Sequence, residues 1–272
     1  MRWLRSHPLA CYFVLAYACS WVVAVPLALS AHGLLSVTLP LRLHYLTAYG
    51  PALAALAVTA WTGGRPAVRS LLARAVATRG LAVWLLVAAL SPLLLFVLAR
   101  TAVAIAGRDV APWSALGRVN FLPDLGVGAW LLWLLTSGLG EELGWRGFAL
   151  PRLQRSRSAL LASLWLGLLW AGWHLPAFFY LPNYAAMGPK IFPGFAFGVV
   201  TGAVVFTWLY NSSGGSVLAC ILWHASFNFV TASAAGTGTV AAVTSIAVMV
   251  WAAAVWLWYG GRTLAAPPKH VE

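Results

Sequence analysis

Apolar residues run along this chain in long blocks, broken by short clusters of arginine, glycine and proline. Eight blocks stand out, at about 9–31, 44–62, 81–106, 126–154, 159–181, 191–210, 216–235 and 239–259. Most approach the ~20 residues that an α-helix needs to cross a bilayer. A barrel strand would span with about 9–11 residues and alternate apolar with polar positions, which these blocks do not. The pattern predicts an all-α polytopic membrane protein with about eight transmembrane helices, in a single transmembrane domain over residues 1–272. Glycines and prolines inside several blocks agree with this, because lipid-buried helices tolerate them. The first apolar run, from Leu9 to about Leu29, exceeds the 7–15 residues of a signal-peptide core, so a retained span is expected.

Composition narrows the class. Of 272 residues, 62% are hydrophobic and 8% charged, against roughly 45–50% and 25% in soluble domains. The chain is too apolar for a soluble fold of this length, and disordered chains are poor in apolar residues. The formal net charge is +12. A nucleic-acid binder gathers its basic residues on a polar face; here they punctuate apolar segments, so no nucleic-acid partner is expected. The three cysteines lie in apolar stretches with no zinc or disulfide spacing, and read as small buried residues.

The basic residues also give an orientation. Arg2 and Arg5, Arg65 to Arg79, Arg152 to Arg157, and Arg262 with Lys269 fall on one side of an eight-span chain. Arg42, Arg108, Arg118 and Lys190 fall on the other. Cytoplasmic loops are the richer in Lys and Arg, so both termini are expected in the cytoplasm. An arginine-rich, lysine-poor composition suggests a bacterial plasma membrane. In the sixth block Gly194, Gly198 and Gly202 share a face and are expected to let a neighbouring helix approach.

Five carboxylates are present, and two of them, Glu141 and Glu142, are adjacent inside an apolar block. Ionisable residues within a span are costly and point to function. Arg146 is one turn beyond Glu142 and on its face, so an ion pair is expected. That leaves Glu141 free, one turn before Trp145, as a candidate general base. His174 lies within the fifth block. Pro176 follows and leaves the Gly172 carbonyl without its usual donor. His224 and Asn228 share a face of the seventh block. If the fourth and fifth helices turn back near 155–158, Glu141 and His174 both lie about 20–25 Å from that turn. A cavity between helices 4, 5 and 7 is therefore expected. It would suit hydrolysis of an amide: water activated by Glu141 and His174, with His224 and Asn228 stabilising the oxyanion. Glu141, His174 and His224 could instead hold zinc, and spacing does not separate the two routes. No zinc-protease HExxH, serine-hydrolase GxSxG or phosphate loop is present.

Glu141–Glu142–x–x–x–Arg146, then Trp170–x–x–x–His174, then His224–x–x–x–Asn228, resemble the CPBP family of CAAX prenyl endopeptidase-like and bacteriocin-processing (Abi) intramembrane proteases. The resemblance covers about residues 125–235, with Trp170 where the family commonly carries Phe. It implies eight helices and a site open to the cytoplasm. It also implies Glu141 as catalytic base, His174 as its helper, His224 and Asn228 as oxyanion donors, and Glu142 and Arg146 as site-shaping residues. The expected activity is a CAAX-type intramembrane endopeptidase, a hydrolase sometimes classed as a metalloprotease. Its expected partners are the lipid bilayer and a membrane-associated peptide or protein cut near the cytoplasmic face. The competing readings are a metal-dependent form of the same protease, a non-catalytic binding protein of the bacteriocin-immunity type, and a proton-coupled transporter. The last is disfavoured because no internal repeat is seen.

Overall fold

The computed structural model describes residues 6–78, 80–119, 122 and 124–266. Arg2, Arg5, Arg79 and Lys269, used above for orientation, lie outside that set. Among the described residues the chain is helical throughout, with no strand. Its main helices are α1 (Pro8–Ala31), α2 (Tyr49–Val76), α3 (Ala82–Ile105), α4 (128–153), α5 (Ala159–Trp173), α6 (Phe192–Ser212), α7 (Val217–Thr231) and α8 (Thr239–Thr263). Each falls on one of the eight apolar blocks.

Five of them are long and apolar enough to cross a membrane: α1, α3, α5 with its continuation to Phe179, α6 and α8. Their most apolar windows have mean hydropathies from 1.3 to 2.5. α7, at 15 residues, is shorter. The exterior carries large apolar side chains such as Val22, Leu86 and Trp258, which are 70%, 60% and 84% exposed. Water would penalise that surface, whereas lipid does not. The chain is an all-α integral membrane protein.

Two helices depart from the simple pattern. α2 runs past residue 62 to Val76 through a kink at Gly64, where φ is +65°; beyond the kink, Leu71 and Ala75 are buried while Arg65 and Arg69 are exposed. This half is amphipathic rather than apolar, so hydrophobicity alone ended the block early. α4 contains two π-helical stretches, Leu134–Glu141 and Trp145–Ala149, separated by the α-helical turn Glu142–Gly144. Such stretches often occur at functional positions.

The two ends of the bundle are tied by different contacts. At one end Arg74 of α2 donates to the Gly147 carbonyl (2.9 Å) and to Tyr210 Oη (3.2 Å). There Gln154 and Asn211 exchange two amide hydrogen bonds, and Asn211 donates to the Thr263 carbonyl. The C-termini of α2, α4, α6 and α8 therefore meet. At the other end His44, just before α2, bonds Tyr180, just after α5. The loop after α3 reaches α7 there: the Ala234 N–H donates to the Arg118 carbonyl. Serine caps start α5 and α7: Ser158 accepts from the Leu161 N–H and Ser216 from the Ala219 N–H.

Candidate active site

The glycines of the segment GLGEELGWRG seat α4 between its neighbours. A Cβ on Gly140 would come within 2.6 Å of the Ala48 carbonyl oxygen, and one on Gly144 within 2.6 Å of Pro51. One on Gly138 would come within 3.0 Å of the Ile221 carbonyl oxygen. α4 is thus pressed against the start of α2 on one side and α7 on the other, and Glu141 and Glu142 lie between them. Both are buried, at 5% and 0% exposure.

Glu142 is the electrostatic centre. Arg146 Nη1 donates to both its oxygens, at 2.8 and 3.0 Å, as the i,i+4 spacing predicted. His224 Nδ1 lies 2.8 Å from Oε1. A carboxylate only accepts, so Nδ1 carries the proton and donates. Arg146 is fully buried, and its guanidinium lies between the rings of Trp170 (4.4 Å) and Phe206 (3.9 Å). Those ring faces add a second attraction for the cation.

Glu141 is held differently. Trp170 Nε1 donates to its Oε2 at 2.8 Å, and among the described residues no hydrogen bond reaches its other oxygen. The ring against Glu141 is therefore that of Trp170. Trp145, the expected neighbour, packs instead with Tyr12, Phe13 and Trp173 in the apolar core. A one-turn spacing along a straight helix did not account for the π-helical backbone around Glu141.

His174 closes α5. Pro176 stops the helix at Trp173 and a tight turn follows over Leu175–Phe179. The His174 N–H turns to the Ala171 carbonyl and so frees the Trp170 carbonyl, which takes the proton of His174 Nδ1 at 2.7 Å. A carbonyl only accepts, so this tautomer leaves Nε2 with a lone pair. Two carbonyls in the last turns of α5 are met from α1: Tyr17 donates to Leu169 and Trp21 to Trp173. Irregular backbone at membrane depth is tolerated where side chains satisfy it.

Glu141, His174, His224 and Asn228 line one cavity of about 260 Å³. α4, α5 and α7 supply them, and residues 44–48 before α2, Tyr184, α6 and α8 complete the wall. His224 and Asn228 are not a free donor pair. His224 Nδ1 is committed to Glu142, and Asn228 Nδ2 donates to Ser137 Oγ at 2.8 Å. His224 Nε2 and the second amide hydrogen of Asn228 remain. Among the wall residues missed in the sequence are His44, Ser137 and Tyr184. His44 stands at the edge of its apolar block. Ser137 looks like any small span residue. Tyr184 lies in the short helix Pro182–Met187 between two spans, where its ring stacks against His174.

The glycine face of α6 does not pack as predicted. A Cβ at Gly194 or Gly202 would meet nothing within 4 Å, and at Gly198 only Met249 at 3.6 Å. All three line the cavity. α6 instead approaches α5 at Gly167, where a Cβ would come within 2.7 Å of Val200 Cα.

Glu141, His174 and His224, named above as a zinc set, share the cavity. Even so, no group of three His, Cys, Asp or Glu among the described residues is gathered as metal ligands. The Nδ1 bonds of His174 and His224 and the Trp170 bond to Glu141 leave Nε2 of each histidine and the second Glu141 oxygen as the donors a metal would take, since metal-bound histidines commonly hold their other nitrogen in this way.

Residues 123–230 match a family model described as Type II CAAX prenyl endopeptidase Rce1-like. "CAAX prenyl protease 2" of Methanococcus maripaludis is 29% identical over 126 residues, covering 45% of this chain and 46% of that protein. The chain thus aligns with about half the length of this relative. Glu141, Glu142, Arg146, Trp170, His174, His224 and Asn228 all fall inside the matched segment. Both similarities support the CPBP-family resemblance carried by those residues.

Proposed function

We propose that this chain, Rce1-like over residues 123–230, is an intramembrane endopeptidase that hydrolyses a peptide bond in a membrane-associated peptide or protein. The observation that carries the reading is Glu141. It is a nearly buried carboxylate with one oxygen fixed by Trp170 and the other without a partner among the described residues, in a cavity shared with His174, His224 and Asn228.

The steps follow from the bonds already made. A water in the cavity gives a proton to Glu141 as its oxygen attacks the scissile carbonyl carbon. His174, its Nδ1 tied to the Trp170 carbonyl, orients that water through the Nε2 lone pair. The carbonyl oxygen becomes an oxyanion. His224, in its doubly protonated form with Glu142 as counter-ion, donates from Nε2, and Asn228 donates its remaining amide hydrogen. One such donor is typically worth about 2.7–4 kcal/mol in the transition state. The intermediate collapses, the C–N bond breaks, and Glu141 returns its proton to the leaving amine. Arg146 and Glu142 are positioning residues that act through His224. No step passes through a metal.

The test compares membrane proteomes of cells carrying the wild-type chain and the Glu141→Gln variant. Glu141→Gln keeps the side-chain shape and the Trp170 bond, so the protein should accumulate normally while a substrate builds up uncut. Normal cleavage by Glu141→Gln would refute the mechanism. A phenotype that survives changes at both Glu141 and His174 would favour a binding protein.

A further inference from the structure

The cavity has a direction, and the arginines give that direction a side of the membrane. Its buried lining residues include Trp133, Glu141, Trp170, Phe206, Trp223 and His224. Half-exposed lining residues such as Gly198, Asn228 and Ser245 lie within the halves of α6, α7 and α8 nearest one end of the bundle, and among the other half-exposed or exposed ones are His44, Tyr184, Gly194 and Phe195. The latter belong to the loop before α2, the short helix after α5 and the start of α6. All lie at the end where His44 bonds Tyr180. The opposite end is closed. There Arg74 bridges α2 to α4 and α6, and the rings of Trp145 and Phe148 are wholly buried. The mouth thus faces the loops between α1 and α2 and between α5 and α6.

Those loops are on the arginine-poor side. That side has Arg42, Arg108, Arg118 and Lys190, and two of the five carboxylates, Asp109 and Asp124, with Arg118 paired to Asp124 at 2.8 Å. The closed end carries Arg65, Arg69, Arg74, Arg152, Arg155, Arg157 and Arg262 and no acid in its loops. Short loops rich in Lys and Arg stay in the cytoplasm. A cytoplasmic position for the closed end and a cytoplasmic mouth are therefore incompatible in this fold.

We infer that the catalytic cavity opens to the extracytoplasmic face, so that its substrates are segments of exported or membrane-anchored chains on the far side of the membrane. The inference rests on the proteolytic reading only for the word substrate; the side on which the cavity opens stands independently of it. The sequence expectation of cleavage near the cytoplasmic face joined two arguments, loop charge and family resemblance, which the tertiary structure pulls apart.

Cysteine accessibility tests it without any substrate. Cys11, Cys19 and Cys220 are free thiols, two of them buried, and would first be replaced in the full chain. Asn183→Cys then places an exposed thiol beside the mouth, Ser156→Cys one on the closed end, and Ser245→Cys one in the cavity wall. In intact bacterial cells a membrane-impermeant maleimide should label Asn183→Cys, and a small impermeant methanethiosulfonate should modify Ser245→Cys. Ser156→Cys should react only after permeabilisation. The reverse pattern, or equal labelling of Asn183→Cys and Ser156→Cys in intact cells, overturns the inference. If the labelling is as expected while Glu141→Gln leaves every membrane protein processed normally, the proteolytic reading fails and the sidedness stands.

Discussion

Replacing Glu142 with glutamine tests the electrostatic frame most directly. The amide matches the carboxylate in shape, so packing is preserved and only the charge is removed. Arg146 is then a cation at 0% exposure whose two bonds, at 2.8 and 3.0 Å, no longer end on an anion. Breaking a buried ion pair from one side costs about 3–5 kcal/mol. The rings of Trp170 and Phe206 hold part of the cation, so the lower half of that range is expected. For a chain of this size 1 kcal/mol corresponds to roughly 2–4 °C in Tm, which gives a fall of about 6–16 °C. Thermal unfolding in detergent, followed by the fluorescence of the 16 tryptophans, reads it. Adding Arg146→Met removes the stranded cation and should recover at least half of the loss, because an apolar replacement of a buried pair is often neutral or better. If Glu142→Gln melts within about 2 °C of the wild type, or the double variant is no more stable than the single, the frame does not rest on this pair.

Three further outcomes are expected. Trp170→Phe keeps an aromatic ring beside Arg146 and removes the N–H on Glu141 together with part of a buried indole; a bond to a charged group is worth about 1.5–3 kcal/mol, so kcat of the folded enzyme should fall about tenfold or more alongside a modest fall in Tm, and an unaltered kcat would show that the bond does not serve catalysis. Gly202→Ala, whose Cβ meets nothing, should leave Tm equal or raise it, since a helical glycine costs about 0.5–1 kcal/mol relative to alanine. Gly140→Ala, whose Cβ would lie 2.6 Å from a backbone oxygen, should lower Tm by several degrees; equal melting of the two would contradict the packing described for α4. Elemental analysis of the purified protein should find less than one zinc per chain, with cleavage surviving exhaustive chelation; stoichiometric zinc lost together with activity would reverse the reading of the histidines.

The hydrophobic pattern alone determined the helices, because a lipid-facing helix must be apolar along its whole length and that requirement is local. It misjudged α2 beyond Gly64, where an amphipathic half-helix needs only one apolar face. Scarcity of acid made Glu141 and Glu142 conspicuous, and i,i+4 spacing sufficed for the Glu142–Arg146 pair, since both partners sit on one helical turn. What crosses between helices was not legible. No spacing links Glu142 to His224, Trp170 to Glu141, or Asn228 to Ser137, because each bond depends on the relative rotation of two helices. Nor does spacing say whether a glycine face meets a neighbour or empty space: Gly167 does the first and Gly202 the second. The sequence determined how charge divides between the two ends of the bundle. Only the tertiary structure decided at which end the cavity opens, because that depends on where helices splay and where aromatic rings fill the gap between them.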